Sequence, residues 1–516
     1  MIFNSYTYLL VFLPLVLLGF HLISARGLRG GFAWLVVASF VYYGWWNPDP
    51  SQPWRPWWVL LIFGSCVLNF GFGRFISMHF GSGGAKWALR LGVGANLAVL
   101  GWFKYAGLFA KTFAVLVGGG ISVPGVILPL GISFFTFQQI AYLVDAHRGE
   151  THEYNFTDYL LFVTFFPQLI AGPIVHHKEM LPQFEARAYA SKGWVNTSVG
   201  VTLLVIGLFK KVVIADNVAP IATRLFAAAA SGDRDLTMAE GWTAAIAYAL
   251  QIYFDFSGYS DMAIGSARLF GIRLPLNFHS PYKAASIADF WRRWHITLSR
   301  FLRDYLYIPL GGNRKGLPRR YANLMITMLL GGLWHGAGWT YVLWGGLHGL
   351  YLCINNFWVW LRHRLSLPAL PRPLAVGLTF VAVLVAWVPF RAGGFELGPS
   401  GSTADALEAT RSILASMFGF NGFEPWPDRS AWIIKASHAQ RAVMCLVLVW
   451  ALPNTQQMMR RYRPALGVRE LFHPRPGPRR WWHWRPTPLW TLFVVVLLLV
   501  TIQQFDKLSE FIYFQF

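Results

Sequence analysis

The sequence predicts an all-α polytopic membrane protein, with about 11 transmembrane helices plus re-entrant or interfacial helices. Three observations carry this. Of the 516 residues, 55% are hydrophobic and only 13% are charged, about half the charged share of a soluble domain. Mean hydropathy is +0.42. The apolar residues also gather into runs that approach the roughly 20 residues a helix needs to cross a bilayer. Disorder is excluded, because it requires few apolar residues and much charge. The chain is too apolar for a soluble enzyme.

The runs lie near 7–24, 32–46, 57–75, 88–103, 107–120, 124–143, 157–175, 196–215, 240–270, 321–338, 340–360, 374–391, 440–453 and 488–504. The first has no basic segment before it and no small-residue cleavage site after it, so it is expected to remain as a span and not to leave as a signal peptide. The stretches 129–137 and 166–173 carry Gly and Pro. They are expected to be re-entrant, which is tolerated only where protein or a water-filled cavity covers the backbone. No internal repeat is evident, which argues against an inverted-repeat transporter.

Lys and Arg outnumber Asp and Glu by 44 to 23, a net charge of +21. In a soluble chain that excess would suggest nucleic acid. Here the basic residues fall between apolar runs, so the positive-inside rule explains them, with anionic lipid or a phosphorylated donor as added partners. No Lys or Arg precedes the first span, while Arg26 and Arg29 follow it, which places the N-terminus outside. The basic segments 276–320 and 456–485 are then cytoplasmic. The acidic loop 393–437 and the tail 505–516 are extracytoplasmic, within one membrane domain over 1–516 whose core motifs lie in 129–352. Cys66, Cys353 and Cys445 sit in apolar stretches without CxxC spacing and read as core residues, not as a disulfide framework or a metal site. No metal and no tightly bound cofactor is expected.

Three segments could carry chemistry. In 288–316, helical periodicity puts Trp291, Trp294, Leu298, Phe301, Leu302 and Tyr305 on one face, Arg292, Ser299 and Arg303 opposite, and His295 at the border. A continuous interfacial helix over 289–305 is expected. Its arginines either anchor lipid headgroups or grip the phosphates of a nucleotide-bearing donor such as coenzyme A, and on the second reading Arg292, Arg293, Arg303, Trp294 and Ser299 bind that donor. The run GGNRKG (311–316) lacks the Ser/Thr of a P-loop and reads as a turn.

The second segment, 324–352, is an apolar hairpin that holds His335 and His348. An ionisable group at membrane depth is a functional candidate by default, although an isolated histidine on an apolar face is more often structural. Gly331, Gly332, Gly336 and Gly338 around His335 would permit close approach of backbone or substrate, as a narrow gap requires. His348 sits in a more regular helical context and reads as structural. In the third segment, Asp255 and Asp261 are six residues apart within an apolar run and share no helix face. They are expected to pair with arginine or helix ends, not to form an acid/base dyad.

The motifs FPQLIAGPIVHHKEMLPQF (166–184), GLFKKVVIADN (207–217), YFDFSGYSDMAIG (253–265), DFWRRWHITLSRFLRDYLYIPLGGNR (289–314) and LLGGLWHG (329–336) together resemble the membrane-bound O-acyltransferase (MBOAT) family, in its bacterial polysaccharide branch. The likeness runs from the N-terminus to about residue 390. It implies tilted helices around a central funnel or tunnel. It also implies an acetyl donor in the cytoplasm, acetyl-CoA or an acyl carrier thioester, and O-acetylation of an extracytoplasmic polysaccharide completed by an SGNH-type acetyltransferase partner, in a bacterial inner membrane. The family's catalytic histidine falls on His335 and a second important histidine on His295.

The tail DKLSEFIYFQF (506–516) resembles the aromatic-Tyr motif of a small relay protein in the D-alanylation system. Tyr513 either anchors the tail at the interface or acts as a transient acyl carrier, since phenolate, with a pKa of about 10, leaves more easily than a sugar alkoxide. Two rivals remain at this stage: an exporter, and D-alanyl or other acyl transfer to a cell-envelope polymer.

Overall fold

The structure, a computed structural model, describes all residues except 1, 48–53, 55, 118–125, 152–154, 186–192, 233, 395–402, 423–435, 469–479, 506–511 and 513–516. The described residues are overwhelmingly helical. Among the described residues, six helical runs combine the length and apolarity needed to cross a membrane: Thr7–Ser24, Trp57–Met78, Gly83–Ala114, Gly193–Ser231, Arg372–Gly393 and Ser437–Tyr462. The first span expected from the sequence is among them. Helices Met238–Leu269, Gly316–His335 and Trp339–Arg364 are also long, but they carry buried polar side chains such as Gln251, Asp255, Asn323 and His348. Such helices are less apolar than a lipid-facing span because part of their surface meets protein.

The chain divides into two compact units. The first comprises Met1–Leu208, Tyr259–Leu276 and Thr455–Leu508, and the second comprises Phe209–Gly258, Asn277–Asn454 and Ser509–Phe516.

In the first unit, aromatic rings from distant segments pack together. Phe3 stacks on Tyr259 at 4.7 Å, and Phe166 meets Phe12 edge-on at 5.1 Å. The Tyr8 hydroxyl bonds Ser266 Oγ at 2.8 Å. Polar contacts join helices where lipid offers none. Asn69 donates to Gln139 at 2.9 Å and Asn96 donates back to Asn69 at 2.6 Å. The two stretches expected to be re-entrant are broken as the sequence suggests. Gly131, at φ 70°, precedes helix Ile132–His147, and the four-residue helix Phe166–Leu169 gives way to irregular chain. Residues 165–175 are all buried, so protein covers the unpaired backbone. A Cβ on Gly131 would lie 2.9 Å from the Leu169 carbonyl oxygen, which is why this turn holds glycine.

In the second unit, helices Gly316–His335 and Trp339–Arg364 form a hairpin packed closely enough for main chain to meet main chain. A Cβ on Gly332 would fall 2.2 Å from the Tyr341 carbonyl oxygen, and one on Gly345 would fall 2.3 Å from that of Met328. Cys66 and Cys445 are buried and Cys353 is half-buried, all as free thiols, in keeping with the reading as core residues.

Candidate active site

His335 is the last residue of helix Gly316–His335 and is 3% exposed. Its ring is walled by Trp334 at 4.9 Å, Trp344 at 5.0 Å and Phe390 at 5.2 Å. This corrects the expected glycine-lined gap. A Cβ on Gly336 would meet the Tyr341 ring at 2.1 Å, so Gly332 and Gly336 make room for Tyr341 and for the neighbouring helix. The imidazole is set in a wall of aromatic side chains.

His295 belongs to a different local structure from the one expected. The segment 289–305 is not one helix. Helix Ile287–Trp291 stops, residues 292–295 turn, and a second helix runs Ile296–Leu302, followed by a wider-wound turn Arg303–Tyr307. The break falls at His295, whose φ of 41° is left-handed, a conformation with a steric cost for a residue that bears a Cβ. Asn277, 18 residues upstream and fully buried, holds it there. The Asn277 side-chain oxygen lies 3.1 Å from His295 Nδ1 and accepts from the Thr297 hydroxyl at 3.0 Å, while its backbone carbonyl accepts from the Ile296 N–H at 3.0 Å. An oxygen facing Nδ1 selects the tautomer protonated there and leaves the lone pair on Nε2.

The two histidines share a neighbour. The Trp334 ring lies 4.9 Å from His335 and 6.3 Å from His295. His348 is also buried, stacked on Phe290 at 5.9 Å and edge-on to Trp344 at 4.9 Å, so one indole, Trp344, touches both His335 and His348.

The expected apolar face of 289–305 is buried in protein at Trp291, Trp294, Leu298, Phe301 and Leu302. Trp294 packs against Trp387 at 4.9 Å and Phe278 at 5.0 Å, and Ser299 Oγ donates to the Trp294 carbonyl at 3.4 Å. Among the arginines, Arg292 is exposed. Arg293 pairs with Asp289 at 2.9 Å, and Arg303 makes a two-pronged contact with Asp304 at 2.7 and 3.0 Å. Residues 311–315 form a turn that leads into helix Gly316–His335, with Gly311, Gly312 and Gly316 at positive φ, in keeping with the turn read from the sequence.

Sequence reading missed Asn277 and its neighbour His279. The His279 Nδ1 accepts from the Asn454 amide at 3.0 Å. Burial first, and the Arg293 guanidinium second, lower its pKa to about 4. Of the two acidic residues, Asp255 differs from expectation in its partner. Asp255 pairs with a lysine, Lys211, at 2.7 Å, where an arginine or helix end was expected. Asp261 accepts from the Thr455 hydroxyl at 2.8 Å and the Gln456 amide at 3.1 Å, side chains at the start of a short helix. Tyr513 lies outside the described residues, as do Glu396, Glu424 and Asp428 of the acidic loop and Arg469, Arg475 and Arg479 of the basic one.

The sequence pattern described as MBOAT, membrane-bound O-acyltransferase family, matches residues 131–388, the stretch that contains both histidines. The chain belongs to the membrane-bound O-acyltransferase family. It is similar to the "Probable alginate O-acetylase AlgI" of Pseudomonas putida, with 36% identity over the whole of both chains. It is 41% identical to the "Peptidoglycan O-acetyltransferase" of Helicobacter pylori over 82% of this chain and 80% of that one. A "Teichoic acid D-alanyltransferase" of Streptococcus thermophilus matches 51% of this chain and 68% of its own at 27% identity. This membrane-bound O-acyltransferase is therefore a multi-pass membrane enzyme that transfers acyl groups, which sets aside the exporter alternative.

Proposed function

We propose that this enzyme moves an acetyl group from a cytoplasmic thioester, acetyl-CoA or an acyl carrier thioester, across a bacterial inner membrane toward O-acetylation of an extracytoplasmic polysaccharide, with an SGNH-type partner completing the transfer. The carrying observation is the full-length similarity to a protein named for alginate O-acetylation, in a chain whose two candidate histidines share Trp334. Relatives named for D-alanyl transfer match about half of the chain at lower identity, which favours acetyl as the group moved. Loop charge supports extracytoplasmic N- and C-termini.

In this reading His335 is the general base and His295 the donor-side hydrogen-bonding group. The Tyr513 hydroxyl gives its proton to His335, and its oxygen attacks the thioester carbonyl. The C–S bond breaks, and the imidazolium returns the proton to the leaving thiolate. An acceptor hydroxyl then repeats the sequence on the aryl ester, with the phenolate as leaving group and the proton returned to Tyr513. Proton transfer by a positioned base contributes typically 10²–10⁴-fold, and hydrogen bonding to the developing oxyanion adds to it. Arg292, Arg293 and Arg303 would hold the donor's phosphates, with Trp294 and Ser299 shaping the segment that presents them.

The test compares the O-acetyl content of the exopolysaccharide in strains with the protein, without it, and with His335→Ala. Loss of O-acetyl groups with polymer still secreted is expected. Normal O-acetylation without the protein would overturn the reading.

A further inference from the structure

The last turn of helix Met238–Leu269 lies in the first unit and holds Arg268, which is 2% exposed. Among the described residues, no carboxylate and no hydrogen-bond acceptor meets its guanidinium, and its Nε is sealed from solvent. Buried arginines are ordinarily paired. Asp261, about two turns earlier on the same helix, is engaged by Thr455 and Gln456. The negative helix end, worth about half an elementary charge, cancels only part of the cation. Arg268 is thus a buried charge that the described protein does not balance.

Its surroundings add more positive charge. Arg273, half-buried just beyond the helix, acts on Arg268 electrostatically, and Arg463 acts on Arg273 in the same way. Main chain clamps the segments that bear them. The Leu276 N–H donates to the Leu466 carbonyl, and the Leu466 N–H to that of Leu274, both at 2.9 Å. The Gln183 side chain accepts from the Arg273 N–H at 2.9 Å and donates to its carbonyl at 3.0 Å. Arg463 closes the turn Arg460–Tyr462, its N–H donating to the Arg460 carbonyl at 3.3 Å. His483, 1% exposed, feels the charges of Arg460 and Arg461. Its Nδ1 accepts from the Arg480 N–H at 3.2 Å. The proton is therefore on Nε2, a second buried donor without an acceptor among the described residues.

The turn ends the spanning run Ser437–Tyr462, and the apolar helix Pro488–Ile502 follows it in sequence. Trp481, 91% exposed, and Trp482 stand shortly before that helix, as aromatic residues do at the headgroup level of a bilayer. An anion bound here is held where lipid phosphates lie. We propose that Arg268, Arg273 and the turn Arg460–Arg463, with His483, form a binding site for the phosphate of an anionic membrane lipid. Guanidinium forks match the paired oxygens of a phosphodiester, and basic pockets beside membrane helices select anionic headgroups. None of these residues is among the arginines assigned to the donor, so the site stands whether or not the acetyl reading does.

The test follows the thermal midpoint of detergent-purified full-length protein as phosphatidylglycerol or phosphatidylcholine is added to the micelles. Phosphatidylglycerol should raise the parent's midpoint by mass action on the folded state, and zwitterionic phosphatidylcholine should not. Arg268→Met replaces the cation with an apolar chain and should raise the phosphatidylglycerol fraction needed for half the effect at least tenfold. Should Arg268→Met fail to fold, Arg273→Gln, outside the helix, carries the test and should also raise it at least tenfold. Arg319→Gln removes the same charge from an exposed position elsewhere and should leave the response within about twofold. A parent that answers both lipids alike, or a parent-like response in Arg273→Gln or a folded Arg268→Met, would overturn the proposal. So would a tenfold loss in Arg319→Gln, which would reduce the effect to net charge. Inorganic phosphate that reproduces the rise at millimolar concentration would assign the site to a soluble phosphate and overturn the lipid.

Discussion

Asn277 holds His295 in a left-handed backbone conformation, its side-chain oxygen 3.1 Å from the histidine Nδ1. The contact selects a tautomer as well as a position. Asn277→Ala should therefore lower acyl transfer on the order of tenfold to a hundredfold, within the span attributed to one positioned proton-handling group, while the protein still purifies as a single species. Transfer at the parental rate in Asn277→Ala would remove His295 from the reaction.

His335→Ala should lower transfer by about 10²–10⁴-fold. Because the ring is packed between Trp334, Trp344 and Phe390, the same change should also lower the thermal midpoint in detergent. His335→Gln restores bulk without a base, so it should recover much of the midpoint and none of the activity. Recovery of activity along with stability would mean that the imidazole only fills space.

Arg292 is exposed, whereas Arg303 is engaged by Asp304 at 2.7 Å. Arg292→Gln should raise the donor KM severalfold with kcat little changed, since phosphate contacts remote from the thioester contribute uniform binding. Arg303→Gln should raise it less. A donor KM that ignores both changes would leave these residues facing lipid headgroups.

Tyr513→Phe keeps an aromatic anchor and deletes the hydroxyl. The relay reading expects polymer O-acetylation to fall nearly as far as with His335→Ala. Full O-acetylation in this strain would reduce the tail to an anchor.

His279 is neutral in the folded protein down to about pH 4, against about 6.5 for the unfolded chain. The unfolded state binds more protons between those values, so the contribution of this group to stability is complete above about pH 6.5 and is lost as pH falls toward 4. His279→Gln cannot titrate there. The parent's midpoint advantage over His279→Gln, measured in detergent at pH 7.5 and 4.5, should shrink at the lower pH, and an advantage that grows on acidification would reverse the assigned sign.

The sequence exposes what is chemically out of place. A histidine among leucines and tryptophans at 335, carboxylates in an apolar run at 255 and 261, and glycine and proline inside would-be spans at 131 and 167 each break a pattern. Those positions proved to be buried polar sites or helix breaks. Periodicity could not reveal the break at His295, because its cause is Asn277, in a different local segment, and the side-chain pattern continues smoothly across it. The glycines beside His335 are ambiguous for a related reason. A glycine reports that something comes close, and only the fold tells whether that is substrate or, as here, Tyr341. The pairing of Asp255 with Lys211 and Ile512 was likewise out of reach, since it joins segments separated by 44 and 257 residues.

The interlocked glycines of the hairpin have a practical consequence for mutational scanning. A Cβ at Gly332 or Gly345 would collide with a carbonyl oxygen of the facing helix at 2.2 or 2.3 Å, so even alanine at either position must wedge the two helices apart and carry the His335 ring with it. In a scan scored by polymer modification alone, these glycines would be as intolerant as the histidine and would be misread as reacting groups. Scoring cellular abundance beside activity separates the classes: alanine at the glycines should deplete the protein itself, whereas His335→Gln should leave inactive protein at near-normal levels.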